Sequence, residues 1–231
     1  MKGALALFVK TPGLSPVKTR LARSIGAPAA ERLYLACADA VSQLLQQFQR
    51  SSGVDCRYAI AESGSLAEAY WAARGGLGLM AQGEGGLGAR MANIQRQLVS
   101  EAGFGLLVGA DCPQLQLQDL QSAADWLRSP QPRQVIGAAE DGGFWLYGGN
   151  RAAPSALWES VVYSQPRTGK EFRAALAAYG ELRELPVRGD LDTLEDLPRL
   201  AAALRALPAP LPAQQRVLDE VENLLREQPH A

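Results

Sequence analysis

Ala4-Leu5-Ala6-Leu7-Phe8-Val9-Lys10, running straight into Thr11-Pro12-Gly13-Leu14-Ser15-Pro16-Val17-Lys18-Thr19-Arg20-Leu21, decides how this chain is read. The first stretch is a short, almost continuous apolar run, the pattern of a strand buried on both faces. The second is a loop of small residues and prolines that ends in two cations around a hydroxyl. Backbone N–H groups left free by such a loop, together with Lys18, Thr19 and Arg20, suit phosphate oxygens, and a guanidinium binds two at once. Lys10, Thr11, Pro12 and Gly13 open the same loop and belong to the candidate phosphate cradle. The loop has neither the GxxxxGK[ST] spacing of a P-loop nor the GxGxxG turn of a dinucleotide fold. Taken locally, it reads equally well as a solvated basic loop.

Outward from that strand, strand-like and helix-like segments alternate. A helix starts near Pro28, where proline suits the first turn, and carries an apolar stripe through Leu33, Cys37, Val41, Leu44 and Phe48. Strands are expected at Arg57–Ala61, Leu77–Ala81, Phe104–Val108, Gln134–Ala138, Phe144–Tyr147 and Leu182–Val187. Helices are expected through Leu87–Leu98, Leu117–Leu127, Phe172–Tyr179 and from Leu194 to Leu204. Prolines 208, 210 and 212 break that last helix before a final amphipathic one carrying Val217, Val221 and Leu224. This alternation predicts an α/β fold, a mostly parallel sheet with helices on both faces. Residues 1–231 form a single domain in this reading, with 208–231 a C-terminal helical extension. Ligands of open α/β sheets bind beyond the carboxyl ends of the strands, so the segments after Val9, Val108 and Ala139 are the places to search.

Composition narrows the chemistry. The chain has 231 residues, 47% hydrophobic and 20% charged, with 23 basic against 24 acidic side chains and a net charge of −1. That balance argues against a nucleic-acid binder, while a few local cations suffice for a small anionic ligand. The three cysteines, Cys37, Cys56 and Cys112, form no CxxC pair and suggest neither zinc nor disulfides. No apolar stretch approaches the roughly 20 residues that span a bilayer. With no secretory pattern at the N-terminus, the expected compartment is the cytoplasm, with no membrane partner. The only histidine is His230, beside the end of the chain. Ser-His-Asp, Cys-His and histidine–zinc chemistry therefore lack their imidazole. Carboxylates, Lys, Arg and a hard metal are left to do the work.

Four further segments carry such groups. Gly109-Ala110-Asp111-Cys112-Pro113 closes an apolar strand with an aspartate in the ligand crevice. Asp190-Leu191-Asp192-Thr193-Leu194-Glu195-Asp196 follows the last strand. Asp192 or Thr193 can cap the next helix there, but capping leaves Asp190 spare. Were Asp111 and Asp192 to meet at one edge, their repulsion would call for a cation. Mg²⁺ or Mn²⁺ shared with a diphosphate fits, since Mg²⁺ takes one or two carboxylates plus phosphate oxygens. Gln82-Gly83-Glu84-Gly85-Gly86-Leu87-Gly88-Ala89-Arg90 opens a helix with a glycine-dense turn. Such a turn suits an anion or closes over a base, which makes Gln82, Gly83 and Arg90 candidate nucleotide contacts. Glu140-Asp141-Gly142-Gly143-Phe144-Trp145 sets two acids before two glycines and two aromatics. It reads as an acceptor pocket or as a β-turn of Asp-Gly type.

In their order and number these motifs resemble the bacterial family called radical-SAM/selenodomain-associated transferase 1. The carriers are Pro16-Val17-Lys18-Thr19-Arg20-Leu21, Gln82-Gly83 through Arg90-Met91, Gly109 to Pro113, Glu140 to Gly143, and Asp190 to Asp196. More distantly, the first loop and the last acidic motif are similar to those of 2-phospho-lactate and molybdenum-cofactor guanylyltransferases. The resemblance implies a GT-A-like three-layer αβα sandwich whose first loop holds a nucleotide diphosphate. Asp111 and Asp192 would then be metal ligands, and Lys18 and Arg20 phosphate contacts. Three positions depart from the pattern: Gly86 where an aspartate is usual, Ala110 for a hydroxyl residue, and Leu194 for proline.

The expectation is thus a metal-dependent transferase that moves a glycosyl or nucleotidyl group from a nucleotide or nucleotide-sugar donor to a small-molecule acceptor. Lys18, Asp111 and Asp141 are the expected catalytic groups. A phosphate acceptor needs no base; for a hydroxyl acceptor Asp141 or Glu140 is the candidate. The competing expectation is a catalytically inactive nucleotide-binding or regulatory module on the same fold, and either acts as a monomer or homodimer.

Overall fold

The structure, a computed structural model, describes residues 1–227. His230 lies outside the described residues. β1 (Ala4–Val9) sits in the middle of the sheet, and its alternation sets the layering. Leu5, Leu7 and Val9 point into one apolar cluster, Ala4 and Ala6 into another on the opposite face. The large side chains meet α2 (Ala27–Ser52), α3 (Ser65–Ala72) and α5 (Leu117–Leu127) through Val41, Phe48, Trp71 and Leu120. The small ones let α4 (Leu87–Ala102) approach, with α6 (Ser155–Ser160) and α7 (Thr168–Leu176) behind it. Pro28 stands in the first turn of α2, and Cys37 is fully buried on that helix, as its spacing predicts.

The remaining strands are β2 (Asp55–Ile60), β3 (Gly78–Ala81), β4 (Gly105–Gly109), β5 (Arg133–Ala139), β6 (Phe144–Gly149) and β7 (Glu181–Arg188). They form one seven-stranded sheet in the order β3-β2-β1-β4-β6-β5-β7. Only β6 runs antiparallel to its neighbours. The direction of connection reverses between β1 and β4, and a crevice opens there at the carboxyl ends of the strands. Because β6 reverses twice, the carboxyl ends of β1, β4, β5 and β7 all face that edge. The loops after β4, β5 and β7 carry the three acidic motifs singled out above, and the loop after β1 carries the basic one.

Three short helices fall outside the periodic segments: α1 (Thr19–Ile25), α3 and α6. Each buries only one or two side chains, so no apolar period announces it. The predicted helix from Leu194 begins as a 3-10 turn, Leu194–Asp196, and continues as α8 (Leu197–Arg205). α9 (Pro212–Glu227) does not stand apart. Its Val217 and Val221 pack with Leu200 and Leu204 of α8 against Leu33 and Ala40 of α2, in a third cluster that adds an outer helical layer. The apolar face of α9 is therefore covered within the chain.

α9 also reaches toward the crevice. The buried Gln214 amide donates to the carbonyls of Pro113 at 2.8 Å and Leu115 at 2.9 Å, in the loop just after Asp111. Those carbonyls are shut off from water, so a lost donor leaves them unpaired. Gln214→Leu is expected to cost about 1–3 kcal/mol of unfolding free energy. Urea denaturation checks this; an unchanged midpoint contradicts it.

Candidate active site

The loop after β1 is held from below by buried polar contacts. Thr11 is buried: its N–H donates to Glu62 Oε2 at 2.8 Å, and its hydroxyl accepts from Trp71 Nε1 at 3.0 Å. Burial works against the Glu62 charge, but hydrogen bonds from Ser15 and Thr11 hold its carboxyl below the usual range. Tyr34 OH accepts from Lys10 N–H at 2.8 Å and donates back to Lys10 O at 2.9 Å. With its base pinned, the loop delivers Lys18 in a left-handed backbone conformation, φ 45°, just before α1. Positive φ is costly for a side chain with a Cβ and clusters at functional sites. Among the described residues, the only other non-glycine with positive φ is Ser164, and both line the same cleft.

That cleft has a volume of about 950 Å³ and lies along the carboxyl edge of the sheet. Lys18, only 6% exposed, pairs with the Asp111 carboxylate and donates to the Leu191 carbonyl. Burial opposes its charge, yet the attraction of Asp111 outweighs this and keeps the lysine pKa above its ordinary value. Arg20, at the start of α1, meets Asp192 at 2.6 Å. Leu191 N–H donates to Asp111 O at 3.1 Å, and Gln114 Nε2 donates to Gly189 O at 2.5 Å. The segment after β7 is thus clasped onto the loop after β4, with α1 closing over both. Asp111 and Asp192, distant in sequence, share one edge with the two cations of the first loop.

Of the two expected caps, Thr193 rather than Asp192 takes the place, in a capping box with Asp196, whose Oδ2 accepts from Asp192 N–H, Thr193 N–H and the Thr193 hydroxyl at 2.7–3.0 Å. Asp192 is free to pair with Arg20 and face the cleft. Asp190 lines the cleft as well. Burial first, then Asp141 and Asp111, push its carboxyl up to about 6. Asp190 is the acid that sequence alone left unassigned, and its signal was being superfluous to capping.

The remaining candidates divide. Lys10, Gln82 and Arg90 line the cleft, whereas Thr11, Pro12, Gly13 and Gly83 are not among its lining residues. Gln82 is buried and bridges strands by donating to Ala59 O at 2.9 Å. Arg90 ties the α4 entry to the sheet through Gly85 O at 3.0 Å and Ala61 O at 3.2 Å. Asp141 and Gly143 line the cleft; Glu140 and Gly142 do not. Glu140 pairs instead with Arg199 at 2.8 Å. Gly142 forms the turn, donating to Ala139 O at 3.1 Å with φ 88°, and any Cβ there would fall 1.9 Å from the Pro166 carbonyl oxygen. The Asp-Gly turn and the pocket are therefore one structure: the turn aims Asp141 inward and sends Glu140 outward.

A profile described as "Uncharacterized protein conserved in bacteria (DUF2064)" matches residues 44–165, more than half of the chain. The chain belongs to this family. The matched DUF2064 region contains Asp111 and Asp141 and stops short of Asp190. No curated protein matches the sequence. Among solved structures, the chain is similar to a proposed nucleotide-diphospho-sugar transferase from Desulfovibrio desulfuricans G20. The two are 23% identical over 98% of this chain and 97% of that one, with a TM-score of 0.82. It is also similar to a cytidylyltransferase from Leptospira borgpetersenii serovar Hardjo-bovis (strain JB197), at 13% identity over 99% and 95%, with a TM-score of 0.55. A third is CMP:2-keto-3-deoxy-manno-octonic acid synthetase solved with CTP, at 12% identity over 89% and 99%, with a TM-score of 0.51. At these identities the likeness establishes the fold, and this DUF2064 chain has the expected GT-A-like α/β arrangement with a mostly parallel sheet. No helix among the described residues is long and apolar enough to cross a membrane. The three cysteines are free and buried.

The raised pKa of Asp190 has a signed consequence. Its folded-state value of about 6 exceeds the ordinary 3.8, so the folded protein binds this proton more tightly than the unfolded chain. Stability is then lost as pH rises between those two values and stays lower above them. Asp190→Asn is expected to melt at a higher temperature than the wild type above pH 6, with the gap closing as pH falls toward about 4. Melting curves across that range check it. A variant less stable than wild type at pH 7.5 contradicts the assignment.

Proposed function

We propose that this protein is a divalent-metal-dependent transferase, moving a nucleotidyl or glycosyl group from a nucleotide or nucleotide-sugar donor to a small-molecule acceptor. The observation that carries this reading is the seating of Lys18 and Arg20 against Asp111 and Asp192 at the β1/β4 switch point. Cations poised over acids at the carboxyl edge suit a phosphate–metal pair, because each half of the site is already balanced by the other. The names of the similar folds, a proposed nucleotide-diphospho-sugar transferase, a cytidylyltransferase and a CMP:2-keto-3-deoxy-manno-octonic acid synthetase bound to CTP, lend support, as does the motif resemblance to the radical-SAM/selenodomain-associated transferase 1 family.

A hard divalent ion would be held by Asp111 and Asp192, whose present partners are Lys18 and Arg20. Asp111 and Asp192 offer carboxylate oxygens at one edge, and among the described residues no three acidic, cysteine or histidine side chains form a closed ligand cluster. One or two carboxylates, completed by phosphate and water, is the set that Mg²⁺ takes. A bound Mg²⁺ or Mn²⁺ would supply charge neutralisation for the leaving diphosphate. Lys18 and Arg20 orient the phosphates and stabilise charge as the bond to the leaving group breaks, so positioning and preorganised charge supply most of the rate. Lys10 and Arg90 face the β1–β3 side of the cleft, where the nucleoside half of the donor would lie. With Glu140 drawn to Arg199, Asp141 is the carboxylate left to take a proton from a hydroxyl acceptor.

Gly86 favours the competing reading, a nucleotide-binding module without turnover. A Cβ there would meet nothing within 4 Å, so the carboxylate usual at that position leaves open space behind it. Turnover decides between the two readings once binding is established. Calorimetric titration of nucleoside diphosphates and nucleotide sugars is expected to show binding that Mg²⁺ strengthens. Asp111→Asn should lose the Mg²⁺-dependent part, and Lys18→Gln should weaken binding by about tenfold or more, the worth of a charge-assisted hydrogen bond. Equal affinity with and without Mg²⁺ in the wild type removes the metal-dependent reading.

A further inference from the structure

Charge is distributed unevenly around the cleft. Every lysine and arginine lining it, namely Lys10, Lys18, Arg20 and Arg90, comes from the β1–α1 segment or from α4. From Asp111 onward the lining residues include Asp111, Asp141, Asp190 and Asp192 and, among the described residues, no lysine or arginine. Lys18 and Arg20 engage Asp111 and Asp192. Asp141 and Asp190 have no such counterpart: Asp141 accepts only the Gly143 N–H, at 2.7 Å, within its own turn.

Cations do exist on the β5–β7 side, but acids outside the cleft hold them. Arg188 is bound by the buried Asp119 at 2.6 Å. Arg199 is bound by Glu140 at 2.8 Å and Asp196 at 2.5 Å. Arg167 pairs with Glu171 at 3.0 Å, and Lys170 is exposed on α7 and does not line the cleft. The same side carries two fixed aromatic walls. Phe144 stacks on Phe172 with ring centroids 5.0 Å apart. Tyr163 gives its hydroxyl proton to Trp158 O at 2.9 Å, which leaves the ring as its contribution to the cleft.

An anionic acceptor entering here would meet two carboxylates without an ion-pair partner and the donor's phosphates, with no lysine or arginine lining that side to receive it. Like-charge juxtaposition of this kind is how sites reject ligands. Resting on the transferase reading above, we propose that the β5–β7 side is the acceptor subsite. It selects an uncharged or cationic small molecule whose hydroxyl or amine stands beside an apolar face, and it rejects phosphates and carboxylates. The acceptor attacks as a hydroxyl or as a neutral amine, an ammonium first giving one proton to water, and its oxygen or nitrogen lone pair forms the new bond to the donor's phosphorus or sugar carbon. The donor's bond to its leaving phosphate oxygen breaks and its electrons stay on that oxygen. The acceptor's proton passes to the Asp141 carboxylate and from there to water. The carboxylates and rings thus set the acceptor class, while the first-loop cations hold the donor.

Three probes sharing one phenyl skeleton test this: 2-phenylethylamine, 2-phenylethanol and phenylacetate, titrated by ligand-observed NMR with and without Mg²⁺ and a nucleoside diphosphate. The amine and the alcohol are expected to bind at least about tenfold more tightly than phenylacetate. An amine ahead of the alcohol assigns a cationic acceptor, and equal binding a neutral one. In the Asp141→Asn/Asp190→Asn double variant phenylacetate should gain about tenfold; the single Asp141→Asn variant gives a smaller gain if the double variant fails to fold. Phenylacetate binding as tightly as the others, an order unchanged by the substitutions, or no binding of any probe overturns the acceptor assignment. Mg²⁺-dependent diphosphate binding, read in the same samples, reports separately on the transferase reading.

Discussion

The site depends on one contact: the Lys18 ammonium, nearly excluded from water, held between the Asp111 carboxylate and the Leu191 carbonyl. A buried ammonium is tolerable only when its partners are close and its protons used. That requirement brings together the loops after β1, β4 and β7, separated by up to 173 residues of chain. It also accounts for the left-handed backbone at Lys18, since the strain aims the side chain inward while α1 turns away above it. Around this contact the rest is scaffolding: Glu62, Trp71 and Tyr34 fix the loop after β1, while Gln114 and Gln214 fix the segments after β7 and β4.

Much of this was legible in the sequence because it rests on local period and on topology. The apolar run of β1, the stripe of α2 and the glycine-rich entry to α4 each announce themselves, and the mostly parallel sheet follows from strands alternating with helices. Convergence of the motifs then needs only the rule that ligands sit at the carboxyl edge. What was not legible depends on pairings made in space. Glu140 and Asp141 are neighbours with the same chemistry, yet Arg199, 59 residues away, draws one out of the cleft. Asp192 and Thr193 both suit a helix cap, and only the observed capping box with Asp196 assigns the cap to Thr193. α1, α3 and α6 were missed because helices of 6–8 residues that bury one or two side chains show no period.

The division of charge gives the cleft a direction. Cations gather where a diphosphate would be gripped, and carboxylates with fixed rings gather where a second molecule would approach. Arginines near the acidic side are each neutralised by an acid that takes no part in the cleft, so the asymmetry is built by the scaffold as much as by the lining residues. An aspartate turn against the Pro166 carbonyl keeps Asp141 in place, at the expense of any side chain at Gly142.

The most direct test is a crystal of this protein soaked with Mn²⁺ and a nucleoside diphosphate, with the metal located by its anomalous scattering. The account predicts a single anomalous peak within coordination distance of Asp111, with the diphosphate oxygens touching both it and Lys18 or Arg20. A diphosphate bound elsewhere, or one lying in the cleft while Lys18 stays locked on Asp111 and no metal peak appears beside it, contradicts the account.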